Sequence, residues 1–457
     1  MIGDLDLVAL ADAIADGSIS AEQATATALS RAEGNTLNAF VRIQHESAME
    51  AARAADLHRA AGKALGPLHG VPLAHKDMFY RAGYITGCGS KIRQDFRSDT
   101  TCSLLSALDQ AGAIEIGQLH MAEFAMGPTG HNAHLGRCQN PWLADAISGG
   151  SSSGSGASVA ARIVAGALGS DTGGSVRLPA SFCGVVGLKP THGRLTQTAM
   201  MPLSESLDTA GPLATSSRSV ARLMAVLTGE DMESGLDLPL QGLTIGVVVA
   251  EDLGDCAPET LAALNEAAAA LRDLGAQTIA LPLPALDHYA AMAGLVWAPE
   301  AAALHLDHLR HRAQDFGPQV RNRLLHGLSM AATTYVQARR HRTADLAEFL
   351  AGPLAQCDII ALPVCRMLTP LAKDADADGG PEMDQIIGDL SALTRGFSYL
   401  GLPALATPMG YDPRGLPIGL QLVGRPRAEA LLCRVGHAFE RATGLIRNPL
   451  LTHAQPS

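Results

Sequence analysis

The sequence predicts an α/β fold built on a central mixed β-sheet covered by helices on both faces, and three observations carry that prediction. Short apolar runs punctuated by Gly and Pro recur from Gly66 onward. Residues 243–281 read strand, helix, strand, the pattern of parallel strands joined by a crossover helix. The turn YDPRGLP at 411–417 joins two late apolar runs as an antiparallel hairpin. With 457 residues, 47% of them apolar, the chain can bury one large α/β domain or two ordinary ones. Only 4% of residues are aromatic while Ala and Gly abound, so backbones must approach closely through small side chains.

In chain order, the first 60 residues read as helices. Leu5, Val8, Leu10 and Ile14 form an apolar stripe, Gly17 ends it, and Ser20 with Gln23 reads as a capping box opening a second helix. Strands are expected at 71–74, 113–116, 244–249, 278–281, 359–363, 404–407 and 418–423, with helices at 157–168 and 259–274. The stretch 284–390 reads as mostly helical, a cap beside the site. No repeat of 20–50 residues is present.

Charge and cysteine usage exclude several classes. Lys and Arg total 34 against 45 Asp and Glu, a net −11, and no basic block tracks along the sequence, which argues against nucleic-acid binding. The eight cysteines contain no CxxC pair, which argues against a zinc ribbon or a disulfide framework and for reduced thiols. The start, MIGDLDLVALADAIADG, has no basic segment of a secretory signal, and no run of 18 uncharged apolar residues offers a membrane span. The expectation is a soluble, cytoplasmic protein.

The run ISGGSSSGSGASVAARIVAGALGSDTGGSVRLPASFCG (147–184) carries the chemistry. Read as a flexible linker, it would not flank an Ala/Val helix and resume at once with a Pro-anchored apolar stretch. In GSDTGGS, successive small residues can turn their N–H groups toward one point, a nest suited to a developing oxyanion, with the Ser175 hydroxyl beside it. A serine nucleophile needs a base. None of the 16 histidines falls in a recognisable catalytic pattern. The alternative is a lysine kept neutral by burial, and Lys76, in GVPLAHKDMF, follows an apolar run; only five lysines occur in all. To act near neutral pH its pKa must fall by about 2–3 units, roughly 3–4 kcal/mol. An ordinary salt-bridged strand-end lysine is the other reading.

Competing motifs are weaker. Gly150–Gly154 fits G-x-S-x-G, with Ser152 as nucleophile, but 140–148 is a poor strand to precede an elbow. His131, His134 and Cys138 lack a fourth ligand at zinc spacing. Asp374, Asp376, Asp378 and Gly379 copy the start of an EF-hand loop, yet its twelfth position is Gln385.

Several motifs in order resemble the amidase signature family of serine hydrolases: GPLHGVPLAHKDMF (66–79), AEFAMGPTGHNAHLGRCQNPW (122–142), the Gly/Ser run, VVGLKPTHGR (185–194), SLDTAGP (206–212) and GLPALATPMGYDPRGLPIGLQLVGRP (401–426). The resemblance implies the amidase signature fold as a single large domain over 1–457, with an N-terminal helical segment at 1–60, a catalytic core at 66–225 and the helical region at 284–390. It implies a triad of Lys76, Ser151 in a cis peptide, and nucleophile Ser175, with Ser152 the runner-up for Ser151. The backbone amides of Thr172, Gly173, Gly174 and Ser175 would form the oxyanion hole. Asp171 would orient the loop, and Arg177 would be structural or touch substrate. No metal and no cofactor are expected. His75 and His131 depart from the family pattern.

The implied activity is cleavage of a carboxamide C–N bond through an acyl-enzyme, with carbamate or ester hydrolysis as an alternative. A second alternative is the glutaminase subunit of a tRNA-dependent amidotransferase, against which stand Leu178 and the run LTQTAMMPLSE (195–205). The expected partners are therefore a small-molecule amide or carbamate and a possible second copy of the chain, with no nucleic acid and no membrane. Met292, Trp297, Leu304 and Tyr335 suggest an apolar or aryl substrate.

Overall fold

A computed structural model describes residues 2–375 and 381–449. Asp376, Asp378 and Gly379 of the EF-hand-like run lie outside the described residues. The strands are β1 (Phe40–Ile43), β2 (Pro72–Lys76), β3 (Ile114–Leu119), β4 (Gly166–Asp171), β5 (Val186–Lys189), β6 (Thr209–Ala214), β7 (Thr244–Val248), β8 (Gln277–Leu281), β9 (Ile359–Pro363), β10 (Ala404–Tyr411) and β11 (Pro417–Gly424). They form one eleven-stranded sheet in the order β1-β3-β2-β4-β6-β5-β10-β11-β9-β7-β8. The sheet is mixed: β3, β2 and β4 run parallel, as do β9, β7 and β8, while the strands between pair antiparallel. One hydrophobic core spans it, so the chain is a single large α/β domain.

Local chemistry accounts for most of these elements. Helix Leu7–Asp16 starts where the Asp6 carboxylate accepts the Ala9 N–H and stops at Gly17, whose φ of 84° suits a residue without Cβ. The Ser20–Gln23 capping box is present at the next helix. Residues 243–281 form β7, helix Pro258–Asp273 and β8 in parallel, and YDPRGLP turns β10 back antiparallel onto β11.

Two expectations are corrected. The first 60 residues are not all helical: β1 pairs antiparallel with β3, and its four half-buried residues show no alternation to mark a strand. The helix expected at 157–168 is two elements. Helix Ser153–Ala160 ends, Arg162 turns the chain at φ 55°, and β4 begins at Gly166. β4 (GALGSD) has no β-branched residue, yet every position is buried, because neighbours press on both faces. A Cβ on Gly169 would meet Ser152 Oγ at 2.7 Å, so only a glycine lets the Ser152 segment lie this close to the sheet. The abundance of small residues serves this close packing.

Helices Leu286–Leu304, Pro318–Ser329 and Ala332–Ala351 stand between β8 and β9, and helix Pro381–Leu400 between β9 and β10. Leu286–Leu304 and Pro381–Leu400 supply one wall of the cavity described next.

Candidate active site

Lys76 ends β2 with no exposed surface. Its Nζ lies 2.7 Å from Ser151 Oγ and donates to Ser170 Oγ at 2.8 Å. Burial pushes the Lys76 amine down to about 7, against the opposing pull of the Asp208 and Asp171 carboxylates. The peptide Gly150–Ser151 is cis.

Ser152, the runner-up, is bound instead to β4: its hydroxyl donates to Ser170 O and accepts from Ser170 N, both at 3.1 Å. Alternation along β2 sends His75 to the opposite face from Lys76, where its Nε2 sits 3.1 Å from Glu115 Oε1. His131 Nδ1 lies 2.9 Å from Thr129 Oγ1, and His134 Nε2 lies 3.0 Å from the buried Glu123 carboxylate. His75 Nδ1 also lies 3.1 Å from Lys76 O, a contact with the backbone of the lysine and not with its amine.

Ser175 sits past the end of β4, where the chain turns into helix Arg177–Cys183, and it lines a cavity of about 50 Å³. Thr172 and Gly173 line the same cavity. The loop between is held from behind. Asp171 accepts from the backbone N–H of Gly174 at 2.7 Å and of Val176 at 3.1 Å. The Gly174 amide is thus bonded to the Asp171 carboxylate. Gly174 has φ 132°, and a Cβ there would meet Thr394 Oγ1 at 2.4 Å, so only glycine fits.

Arg177 is fully buried and donates to Asp171 at 2.8 and 3.0 Å, to Gln421 Oε1 at 2.6 Å, to Ser398 Oγ at 2.7 Å and to Thr394 O at 2.9 Å. Of its two readings, the geometry gives the structural one, since it ties the loop to β11 and to helix Pro381–Leu400. Burial would raise the Asp171 pKa, but the Arg177 guanidinium outweighs it and holds the carboxyl at about 2.

Sequence reasoning did not single out Ser170, Asp208, Thr394, Arg323 or Arg395. Asp208, within SLDTAGP, accepts from Thr172 Oγ1 at 2.5 Å and from the Leu203 and Ser204 amides. Thr394 Oγ1 donates to Gly173 O at 2.6 Å. Arg323 and Arg395 line the cavity with Trp297, whereas Met292, Leu304 and Tyr335 do not. The wall is therefore less apolar than expected. Only position within a motif could have flagged Ser170 and Asp208; no local pattern marks the others.

A half-buried serine on a glycine loop, its carbonyl bonded to the Ser152 N–H, together with a buried lysine–serine pair at the end of β2, fits an amidohydrolase, a hydrolase of carbon–nitrogen bonds. The chain belongs to the amidase signature family: the Amidase family model matches residues 23–433. Among curated proteins, a glutamyl-tRNA(Gln) amidotransferase subunit from Bordetella avium is 35% identical, covering 96% of each chain. The corresponding protein of Thiobacillus denitrificans is 36% identical over 96% of this chain and 97% of its own. Among solved structures, a chain from a vestigial protein complex that reveals the evolutionary origins of an s-triazine catabolic enzyme superposes with a TM-score of 0.89 and 34% identity, covering 97% of this chain and all of its own. Native peptide amidase from Stenotrophomonas maltophilia gives 0.83 and 27%, with 98% of both chains covered.

These relatives overturn the expected partners. The curated relatives are named as subunits of an enzyme whose name carries a tRNA, so a small-molecule amide or carbamate, a second copy and no nucleic acid is not the set of partners they support. The expectation rested on the net charge of −11 and the want of a long basic block, which describe this chain and say nothing of a partner chain. Among the described residues no helix is long and apolar enough to cross a membrane.

Proposed function

We propose that this chain is the amide-hydrolysing subunit of a multi-subunit enzyme, of the kind its curated relatives are named for, and that it opens a carboxamide through Ser175, Ser151 and Lys76. The observation that carries the reading is the 2.7 Å contact between the fully buried Lys76 Nζ and Ser151 Oγ, with the Ser175 carbonyl accepting from the adjacent Ser152 N–H at 3.2 Å. Neutral Lys76 takes the proton of Ser151 while Ser151 takes that of Ser175, whose Oγ attacks the amide carbon. The amides of Thr172, Gly173 and Ser175 stabilise the oxyanion. The proton returns through Ser151 to the leaving nitrogen, and water then hydrolyses the acyl-enzyme. Burial performs the step on which the scheme depends, since it lets an amine stand neutral at working pH.

The test is labelling with a fluorophosphonate followed by peptide mapping, together with ammonia release and the size of the native assembly. A label on Ser175 that is lost in Ser175→Ala, ammonia from a carboxamide, and a defined complex with other chains are expected. A label on Ser152, or turnover retained by Ser175→Ala, would overturn the chemistry. A chain that stays monomeric in its native cells would overturn the assembly.

A further inference from the structure

The turn 203–208, just before β6, is gripped from the helical region between β8 and β9. Ser204 Oγ donates to Glu300 Oε2 at 2.5 Å. Ser206 donates to the same carboxylate twice, from its N–H at 3.2 Å and from its hydroxyl at 2.5 Å. Glu300 stands on helix Leu286–Leu304 and is itself held, since Tyr335 Oη donates to its Oε1 at 2.8 Å and Arg339 Nη1 lies 3.7 Å from that oxygen. Arg342 donates to Ser206 O at 2.6 Å. Tyr335, Arg339 and Arg342 share helix Ala332–Ala351, so two helices converge on one short turn. His192 and Arg342 also lie within electrostatic reach of Glu300.

On its other side the turn reaches the reactive loop. The Asp208 carboxylate closes the turn by accepting from the Leu203 and Ser204 amides at 2.7 and 3.1 Å, and its second oxygen accepts from Thr172 Oγ1 at 2.5 Å. Thr172 opens the Thr-Gly-Gly run that leads to Ser175. Asp208 is buried, and burial raises its carboxyl to about 6 against the pull of Thr172, the two amides and the Lys76 amine. A charge in that place depends on its donors, and the two amides are in position only while the turn is. From the other partner's side, the Asp208 and Asp171 carboxylates and the Cys88 thiol all oppose the fall of the Lys76 amine, whose direct contacts are the Ser151 and Ser170 hydroxyls. Glu300 is not among the residues that line the cavity beside Ser175.

We infer that Glu300 is a positioning residue of the hydrolytic centre: by clamping Ser204 and Ser206 it sets the Asp208 carboxylate, which holds Thr172 and acts on the Lys76 amine. The inference rests on the amide-hydrolase reading of Ser175 and Lys76 and adds to it a residue from the helical region. The effect runs through geometry and not through the charge of Glu300. A glutamine meets the same four donors, its carbonyl accepting from the Ser204 hydroxyl and the Ser206 N–H while its amide donates to the Ser206 and Tyr335 hydroxyls. An alanine meets none. When the turn loosens, Asp208 either withdraws or takes up a proton. Both remove negative charge from the surroundings of Lys76, so its amine becomes easier to deprotonate.

The test uses the full-length chain, with any partner chain that co-purifies, and the best substrate among glutamine, propionamide and benzamide. Glu300→Ala should lose at least about tenfold in kcat with KM moved less than about threefold, and the midpoint of its kcat/KM profile should fall by at least about half a pH unit. Glu300→Gln should restore most of the rate and the midpoint. In an Asp208→Asn background Glu300→Ala should add little, because both changes act through one carboxylate. A second arm is independent of turnover. With only five lysines in the chain, the Lys76 amine can be followed by NMR of protein carrying 13C-lysine and assigned with Lys76→Met. Its titration should move downward in Glu300→Ala and stay in place in Glu300→Gln. Unchanged kcat and an unchanged Lys76 titration in Glu300→Ala overturn the inference, as does a glutamine variant as impaired as the alanine. Should Glu300→Ala not fold, Ser206→Ala, which removes one bond of the clamp, decides on the same two readings. If no carboxamide is hydrolysed yet the Lys76 titration moves as stated, the hydrolase chemistry has failed and the clamp stands.

Discussion

Asp171 and Arg177, six residues apart at the end of β4 and the start of the next helix, form a fully buried ion pair with two hydrogen bonds, at 2.8 and 3.0 Å. Neither side chain touches the cavity beside Ser175. The pair instead fixes the turn that carries Ser175, since the same carboxylate takes the Gly174 and Val176 amides.

Arg177→Met should therefore destabilise the protein by about 3–5 kcal/mol, the usual cost of orphaning one member of a buried pair. The sign of the pH effect also follows. In wild type the folded Asp171 pKa is depressed to about 2, so its contribution is full above the unfolded value of about 3.9 and is lost as pH falls toward 2. Without the guanidinium, burial raises that pKa, so the variant should gain stability relative to wild type as pH falls and the carboxylate takes a proton. Denaturant melts of both proteins across acid pH check this. Adding Asp171→Asn to Arg177→Met should recover part of the loss.

Gly174→Ala tests the loop directly. At φ 132°, with Thr394 Oγ1 at 2.4 Å from the added Cβ, the alanine must displace either the loop or its clamp. Loss of about 2–3 kcal/mol in stability is expected, with a larger fall in kcat than in KM, because the amides beside Gly174 move with it. Unchanged kcat with normal melting would show that the loop relaxes without cost.

Ser170→Ala removes the second partner of Lys76. The hydroxyl accepts a bond that favours the protonated amine, so its loss should move the pH midpoint of kcat/KM downward. It should also lower kcat about 10–100-fold, by loosening the amine from Ser151. A structural role alone would leave the midpoint in place, and Ser170→Thr should restore part of the rate.

The limits of the sequence are instructive at these residues. The nest GSDTGGS and the apolar run before Lys76 are local patterns, and they could be read because nearby residues define them. The Lys76–Ser170 bond, the Asp208 bond to Thr172 and the Thr394 clamp join residues 94, 36 and 221 positions apart. No periodicity records such pairings. β4 escaped notice for a related reason: its Gly, Ala and Ser are chosen by two faces of neighbours, not by strand propensity. The arginines of the cavity wall lie on helices whose sequences read only as a polar and apolar mixture.

The last prediction concerns Lys76 as base. Its folded pKa of about 7 lies below the ordinary lysine value, so the neutral amine predominates above pH 7 and kcat/KM should rise through that midpoint. A histidine titrates in the same range, so the profile alone does not identify the base; the variants do. Lys76→Arg should be nearly inactive at every accessible pH, because a guanidinium does not surrender its proton. Lys76→Ala should lose far more activity on amides than on activated esters, since an amine leaves only when protonated whereas an activated alkoxide leaves unaided. Stability should move in a linked way. Between about pH 7 and 10.5 the unfolded lysine binds a proton that the folded one has released, so this residue makes the fold more stable as pH rises across that window, and Lys76→Met should remove that slope. Amide and ester turnover, with melts from pH 7 upward for wild type and the three variants, test each part. Near wild-type amide hydrolysis by Lys76→Ala would refute the lysine relay.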